Sequence, residues 1–264
     1  MNSKNYDPRQ VREVFHLEFL RWFTRKLDGA NYALKGGVNL RLFFRSFRYS
    51  EDIDIDVQSV RIEKIQKTVL EILEARGFSD NLKSFGVERV VPPDISTAKQ
   101  TKTTQRFKMH LITSGGEDFF TKIEFSRRGL TGSRLVEPVS VEILRSYKMA
   151  PFLVSHYTVD SAIGQKIQAL AHRPVLQARD IFDLFILSSQ CDKSWHKNVG
   201  VGTSVLKKAH DNIFLVDYRQ FQDTVAAYLA FEDQKTYALP AVWDEIKLKT
   251  AHFLEEAKLK DENI

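Results

Sequence analysis

Apolar residues recur at helical spacing near the start of the chain and throughout its last hundred residues. Residues 9–28 carry a wide apolar face, which is typical of a helix packed into a core. A second periodic stretch over 61–76 predicts a helix that Gly77 ends. Further helices are predicted over 159–173, 179–190, 204–214, 218–230 and 240–258.

Between these helical stretches apolar and polar residues alternate, which is the pattern of strands. Strands are predicted over 31–35, 52–57, 104–113, 118–127 and 138–147, with a helix over 38–46. Residues 114–117 have turn composition, so the strands on either side of them should form a hairpin. The pattern predicts an α/β domain over residues 1–155 and a helical domain over 156–264.

The composition is that of an ordinary globular protein. The 264 residues are 43% hydrophobic, and 39 basic against 34 acidic residues give a net charge of +5. This excludes wholesale disorder, and it permits a nucleic-acid partner without requiring one. Cys191 is the only cysteine, which excludes an intrachain disulfide. With no signal pattern and no long apolar run, we expect a cytoplasmic protein without membrane contact.

The predicted strand over 52–57 reads Asp-Ile-Asp-Ile-Asp-Val. Alternate residues of a strand share a face, so Asp52, Asp54 and Asp56 lie together at ~6–7 Å spacing. Three like charges repel one another and resist desolvation. Two interpretations are open: a solvated outer face, or a site for Mg²⁺ or Mn²⁺, which prefer carboxylate oxygens.

A pair of glycines, Gly36-Gly37, precedes the helix that leads to this strand. The N-terminus of a helix presents free N–H groups and the positive end of the helix dipole, and both suit a phosphate. The strand, the glycine turn, the helix and the acidic strand therefore predict a phosphate cradle beside a metal site.

Lys35 to Leu42, followed by Arg48 to Asp54, resembles the first signature of the AbiEii/AbiGii toxin family, which lies in the polymerase-beta-like nucleotidyltransferase superfamily and includes the MenT-type toxins. Gly164 to Leu170, Arg173 and Ala178 to Leu184 resemble its second signature, a helical lysine before Arg-Asp-x-x-Asp-Leu. The resemblance covers residues 30–190. It implies an α/β nucleotidyltransferase lobe, with a mixed sheet flanked by helices, and an all-helical C-terminal lobe that contributes a lysine and an aspartate to the active site.

The resemblance also implies roles for single residues. Asp52, Asp54, Lys166 and Asp180 would be catalytic, Asp52, Asp54 and Glu124 would hold Mg²⁺ or Mn²⁺, and Gly36, Gly37, Arg48, Ser50 and Lys166 would bind the nucleotide. Alternatives stay open for several of these positions. Glu124 could pair with Lys122 or Arg127 on an exposed strand face, and Lys166 could be a surface lysine. Asp180 could cap a helix, Arg48 could form a salt bridge, and Ser50 could orient a carboxylate.

The implied function is that of a metal-dependent nucleotidyltransferase toxin from a type IV-like toxin–antitoxin system. It would transfer a nucleotide from an NTP to RNA, at the 3′ end of the tRNA acceptor stem, and it would have a cognate antitoxin. Val38 departs from the family pattern, which often has Thr or Ser after the glycines. That departure motivates an alternative, a catalytically weak nucleotide- or RNA-binding module. A nucleotidyltransferase for small molecules or proteins is a third possibility.

Overall fold

The computed structural model of the chain describes residues 6–96, 98–192 and 194–261, with the side chains of 258–261 left out. The chain divides into two compact units. One comprises Met1–Phe43 and Tyr49–Tyr157, and the other comprises Phe44–Arg48 and Thr158–Ile264. The second unit therefore includes residues 44–48, which the sequence analysis assigned to the first domain.

The first unit is built on a mixed sheet that has seven strands in the described residues. The strands are β1 (Tyr32–Lys35), β2 (Asp52–Val57), β3 (Val87–Val91), β4 (Thr104–Thr113), β5 (Asp118–Ser126), β6 (Arg134–Pro138) and β7 (Leu153–Tyr157). Their order across the sheet is β3-β4-β5-β2-β1-β7-β6. Strand β2 runs parallel to β5 and antiparallel to β1. The acidic strand is therefore central, with neighbours on both sides.

Five α-helices accompany this sheet in the described residues: α1 (Pro8–Phe23), α2 (Gly36–Phe43), α3 (Ile62–Leu73), α4 (Arg76–Lys83) and α5 (Val141–Ser146). Asp7 starts α1 in a capping box, because its carboxylate accepts from the backbone of Arg9 and Gln10. The aromatic face of α1 is buried, and Phe23 contacts Phe125 of β5 at 5.6 Å between ring centroids. Helix α1 thus covers the apolar side of the acidic strands.

The predicted strand over 138–147 is wrong. Strand β6 ends at Pro138, and residues 141–146 form α5 instead. Pro138 has no N–H to continue a strand ladder, and the backbone N–H of Ser140 bonds the carbonyl of Leu42. Strands β3, β6 and β7 and helices α4 and α5 were not predicted. Gly77 lies inside α4 rather than ending a helix at that point.

The second unit is helical in its described residues. Its helices are α6 (Val159–His172), α7 (Ala178–Ser188), α8 (Trp195–Val199), α9 (Thr203–Ile213), α10 (Tyr218–Thr224), α11 (Phe231–Tyr237) and α12 (Pro240–Asp261). Helices α8 and α11 were not predicted, and the predicted helix over 218–230 breaks after Thr224. No helix in the described part of the chain is both long and apolar enough to cross a bilayer.

Residues 44–48 pack against the helices of the second unit. The ring of Phe47 lies 5.3 Å from that of Phe182 in α7 and 4.9 Å from that of Tyr237 in α11. The side-chain amide of Gln190 donates to the carbonyl oxygen of Phe44 over 2.6 Å. Aromatic packing and a hydrogen bond therefore both hold this segment to the helical unit.

A buried ion pair completes this attachment. The Arg48 guanidinium reaches both carboxylate oxygens of Asp183 in α7, with Nη2 at 3.1 Å from Oδ1 and 3.2 Å from Oδ2. The Arg48 side chain is 6% exposed and that of Asp183 is fully buried. Burial raises the pKa of Asp183, but Arg48 and Lys166 outweigh it and hold that pKa below its ordinary value. Asp183 is therefore ionised at neutral pH in the folded chain.

We predict that Arg48→Met lowers the free energy of unfolding by about 3 kcal/mol at neutral pH, because it removes one partner of a buried ion pair. Since the pKa of Asp183 is lowered by folding, this stabilisation is present above about pH 4 and is lost as the pH falls further. Urea unfolding from pH 3 to pH 8 measures both effects.

Arg76→Met is the matched control, because the Arg76 side chain is 94% exposed and pairs with Asp80 on the helix surface. It should cost less than about 0.5 kcal/mol. Equal losses in the two variants would contradict the stabilising role assigned to the Arg48–Asp183 pair.

Candidate active site

The glycine turn lies against the acidic strand. Gly36 follows β1 with a φ of +68°, which is a left-handed conformation that favours glycine. A Cβ atom at this position would lie 2.8 Å from Oδ2 of Asp54. Any side chain at position 36 would therefore collide with the carboxylate. The turn needs glycine for both reasons, and it brings the N-terminus of α2 beside Asp54.

The strand register aligns four charged residues in one row across the sheet. Arg106 of β4 lies opposite Glu124 of β5, Glu124 lies opposite Asp54 of β2, and Asp54 lies opposite Lys35 of β1. Two carboxylates thus lie side by side, with one cation on each flank. Like charges in directly opposite positions destabilise a sheet, so this row carries a built-in repulsion.

Cations of the same sheet hold the other carboxylates. Nη2 of Arg106 lies 2.7 Å from Oε2 of Glu124, and Nζ of Lys122 lies 2.9 Å from Oδ2 of Asp52. The prediction that Glu124 projects from the face opposite its apolar neighbours agrees with the burial pattern of β5. Its partner is Arg106 and not Lys122 or Arg127.

Asp56 has a different environment from Asp52 and Asp54. Its carboxylate is buried, with Nζ of Lys35 at 2.5 Å from Oδ1 and the Tyr157 hydroxyl donating to Oδ2 over 2.8 Å. Both oxygens are therefore engaged by residues of the first unit. Asp56 therefore has a structural role: it holds the ammonium group of Lys35, the residue at one end of the charged row.

The surroundings of Asp54 disfavour its charged form. Burial raises the pKa of Asp54, and the neighbouring carboxylates of Asp52 and Glu124 raise it further. Lys35 and Lys122 act in the opposite direction, but the net effect is an upward shift. The carboxylate of Asp54 is therefore costly to ionise in the folded chain, and a cation placed beside it would remove that cost.

The three predicted metal ligands carry the oxygen donors that Mg²⁺ prefers, and they lie on neighbouring strands. Two of them are already engaged by cations of the chain, Asp52 through Oδ2 by Lys122 and Glu124 through Oε2 by Arg106. Within the described residues, no set of three or more His, Cys, Asp or Glu side chains is arranged to hold a metal ion. The donor chemistry therefore fits a hard divalent cation, and binding one would require Lys122 or Arg106 to share its carboxylate.

Side-chain hydrogen bonds fix the backbone that enters β2. The Ser50 hydroxyl donates to the carbonyl oxygen of Asp52 over 3.0 Å, and the Thr121 hydroxyl donates to that of Glu51 over 2.7 Å. Nε2 of His16 lies 3.0 Å from the same hydroxyl oxygen of Thr121, whose proton is already used, so His16 is the donor. Burial lowers the pKa of His16 to about 3, so this histidine stays neutral.

The position that departs from the family pattern faces the core. The side chain of Val38 is buried and belongs to the hydrophobic core of the first unit. The next residue, Asn39, donates to the carbonyl oxygen of Tyr157 and contacts Nδ1 of buried His156 at 2.9 Å. Helix α2 is thus fixed by both an apolar and a polar contact, and the side chain at position 38 contributes packing.

A second charged cluster lies within the helical unit. Nζ of Lys166 in α6 lies 2.9 Å from Oδ1 of Asp180 and 2.6 Å from Oδ2 of Asp183, both in α7. Nη1 of Arg173 lies 3.3 Å from Oδ2 of Asp180. The Lys166 side chain is only 12% exposed, and both aspartates are fully buried. Lys166 is therefore not a surface lysine.

The opposite charges of this cluster pair with one another. Burial opposes the charge of Lys166, but Asp180 and Asp183 outweigh it and raise the pKa of Lys166 above its ordinary value. Asp180 makes no side-chain cap, since α7 begins without one. The i, i+3 spacing of the two aspartates places both on one face of α7, as predicted, and there both contact Lys166.

The predicted site residues thus form two groups, each described within its own unit. Gly36, Gly37, Ser50, Asp52, Asp54 and Glu124 lie in the first unit, and Arg48, Lys166 and Asp180 lie in the second. Lys35 and Arg106 were not predicted as partners of the carboxylates, and Lys122 was considered as a partner of Glu124, whereas it pairs with Asp52. Alternation within each strand predicts which face they share, but only the register between strands shows which acid each one meets.

Comparisons with known proteins identify the family and the fold. The family profile described as "Nucleotidyl transferase AbiEii toxin, Type IV TA system" matches residues 18–256. MenT4, a nucleotidyltransferase toxin of Mycobacterium tuberculosis, is 16% identical with a TM-score of 0.64, covering 95% of this chain and 86% of its own. JHP933 from Helicobacter pylori is 18% identical with a TM-score of 0.55, covering 98% and 96%. No curated protein sequence matches the chain.

The structural likenesses establish the nucleotidyltransferase fold, and the family match extends over most of the chain. The match includes both predicted signatures and the units that carry them. The chain therefore belongs to the AbiEii family of nucleotidyltransferase toxins, the toxin components of type IV toxin–antitoxin systems.

Proposed function

We propose that this toxin uses Mg²⁺ or Mn²⁺ to transfer a nucleotidyl group from an NTP to RNA, at the 3′ end of tRNA in the cytoplasm. The observation that carries the proposal is the pair Asp52 and Asp54 on one strand face, with the Asp54 carboxylate directly against the glycine turn that starts α2. Metal ligands and a phosphate-binding helix N-terminus are what a metal-bound triphosphate requires.

Asp52 and Asp54 would hold the divalent ion, with Glu124 as the candidate third ligand. When bound, the ion supplies positive charge that neutralises the triphosphate and the developing transition state. The raised pKa of Asp54 supports this assignment, because a carboxylate crowded by two others gains most from a cation.

The backbone of Gly36 and Gly37 would contact the phosphates. Because position 36 cannot carry a side chain, the N-terminus of α2 stays open beside Asp54. Ser50, which was predicted to bind the nucleotide, would act by positioning β2, because its hydroxyl donates to the carbonyl oxygen of Asp52. Arg48 was predicted to bind the nucleotide, but its guanidinium is buried against Asp183, so we favour the salt-bridge alternative and assign it no phosphate contact.

The transfer is a displacement at phosphorus. The hydroxyl oxygen of the acceptor forms a bond to the α-phosphorus, and the bond from that phosphorus to the bridging oxygen breaks, so that pyrophosphate leaves. The proton of the hydroxyl passes to a carboxylate of the acidic face. Lys166, with Asp180 holding its ammonium group, would be the catalytic cation.

The choice of RNA as acceptor rests on charge and on the role of a toxin. The chain has a net charge of +5, and Lys102 and Arg128 are exposed beside β4 and β5. Such residues contact phosphates without reading sequence. An antitoxin is the second partner that the family implies.

We predict that Asp52→Ala and Asp54→Ala each reduce transfer at least ~100-fold, because each removes a carboxylate that the metal needs. The assay incubates the protein with each α-labelled NTP in turn, Mg²⁺ and total tRNA. Product is resolved on a denaturing gel, and EDTA should abolish it.

Asp118→Asn is the matched control, since it changes a carboxylate at the start of β5, the strand that carries Glu124. It should keep wild-type transfer. If wild-type protein labels no tRNA while a control nucleotidyltransferase does, the tRNA proposal fails. Labelling of a small molecule or a protein in a cell extract would then identify a different acceptor.

We predict that Asp54→Asn makes the fold more stable while it abolishes transfer. Burial and the neighbouring carboxylates raise the folded pKa of Asp54, so its ionised form costs stability at neutral pH. The gain in melting temperature should be largest at pH 7–8, shrink as the pH falls, and vanish below about pH 4. Asp56→Asn should instead lower the melting temperature, because it breaks the contacts with Lys35 and Tyr157.

We predict that Lys166→Arg leaves the chain folded but lowers transfer at least ~10-fold. Arginine keeps the positive charge between Asp180 and Asp183, yet its planar group cannot act as the compact point charge of an ammonium. Circular dichroism checks the fold and the labelling assay checks transfer. Wild-type transfer by this variant would remove Lys166 from the proposed machinery.

A further inference from the structure

A cation of the chain itself already occupies the Asp52 carboxylate. Lys122 of β5 lies directly opposite Asp52 of β2 in the parallel register, and its Nζ is 2.9 Å from Oδ2 of Asp52. The two side chains are 22% and 26% exposed, so the pair lies at the surface of the sheet and not in its interior. Water and ions can therefore reach it.

The neighbouring cations of the acidic face are held differently. Arg106 directs both Nε and Nη2 at Oε2 of Glu124, at 2.8 and 2.7 Å. Lys35 is bound to Asp56, whose side chain is only 8% exposed and is also fixed by Tyr157. Lys122 differs from Arg106 because it makes one contact with its carboxylate instead of two, and it differs from Lys35 because its partner Asp52 is 26% exposed rather than buried. Among these three cations it is the one that can leave most easily.

A divalent ion and this ammonium group compete for the same oxygen. Two cations on one carboxylate repel each other, and Asp54 and Glu124 on the same face offset only part of that repulsion. A lysine is suited to be displaced, because its charge is compact and its four-carbon stem is flexible. Binding of metal at Asp52 would therefore release a positive charge at the edge of the site.

We propose that Lys122 is a resident counter-cation of Asp52, which the divalent ion displaces and which then binds the triphosphate. This inference rests on the proposed function, since it requires metal at Asp52. Phosphate oxygens are strong acceptors for a lysine ammonium, and the triphosphate arrives at the face from which Lys122 is released. The Lys122 side chain thus neutralises Asp52 when no metal is bound, and it contacts the triphosphate when metal is bound.

The proposal requires opposite effects on two ligands, which a purely structural ion pair would not produce. In Lys122→Met, Mn²⁺ alone should bind about 5-fold more tightly, because its competitor is gone. Inorganic triphosphate presented with saturating Mn²⁺ should bind about 10-fold more weakly, because a charged hydrogen bond is lost. Electron paramagnetic resonance measures free Mn²⁺, and calorimetry measures triphosphate.

Lys108→Met is the matched control. Lys108 lies opposite Lys122 on β4, is exposed, and forms no ion pair with any described carboxylate. This variant removes the same charge from the neighbouring strand, so it controls for a general change in the electrostatic potential of the acidic face. Both affinities should stay within about 2-fold of wild type in this variant.

Unchanged Mn²⁺ affinity in Lys122→Met, or equal weakening of triphosphate binding in both lysine variants, overturns the role of Lys122. Transfer by the wild type is measured in the same preparations. If it is normal, such a result leaves the proposed function standing. If the wild type neither transfers a nucleotide nor binds Mn²⁺, while Asp52→Asn behaves in the same way, the proposed function itself fails.

Discussion

Repulsion among the carboxylates of β2 and β5 is the constraint around which the first unit is arranged. Asp54 and Glu124 lie opposite each other, and the sheet places Lys35 on one side of them and Arg106 on the other. The glycine turn adds the positive end of α2 beside Asp54. Each of these features lowers the cost of holding like charges together, and none removes it. The remaining cost is what makes the face receptive to a cation.

The helical unit meets the same problem with a different solution. Asp180 and Asp183 are fully buried, and they share one lysine while Arg48 and Arg173 approach from other directions. Burial strengthens these contacts, because little water screens them. The side chains of Asp52 and Glu124 on the sheet are about a quarter exposed, whereas those of Asp180 and Asp183 are fully buried. Solvent therefore reaches the ion pairs of the sheet, and it does not reach the acids of the helical cluster.

The local sequence pattern was sufficient to predict those parts of the candidate site that lie within a single helix or strand. The alternation of Asp52, Asp54 and Asp56 identified β2, and the i, i+3 spacing of Asp180 and Asp183 identified one face of α7. Pattern failed where the outcome depends on distant contacts. Residues 139–143 alternate like a strand but follow Pro138 into a turn and then α5. The partners of Asp52 and Glu124 depend on strand register, which a single sequence does not encode locally.

The discontinuity at residues 44–48 has a consequence for how this architecture can evolve. The helical unit needs Phe47 and Arg48, which are encoded far upstream of its main segment, between α2 and β2. Recombination with a single crossover near residue 157 would separate Asp183 from its arginine and α7 from its aromatic partner. A chimaera joined at that point would therefore lack native partners for Asp183 and Phe182, so residues 44–48 must be exchanged together with the helical unit.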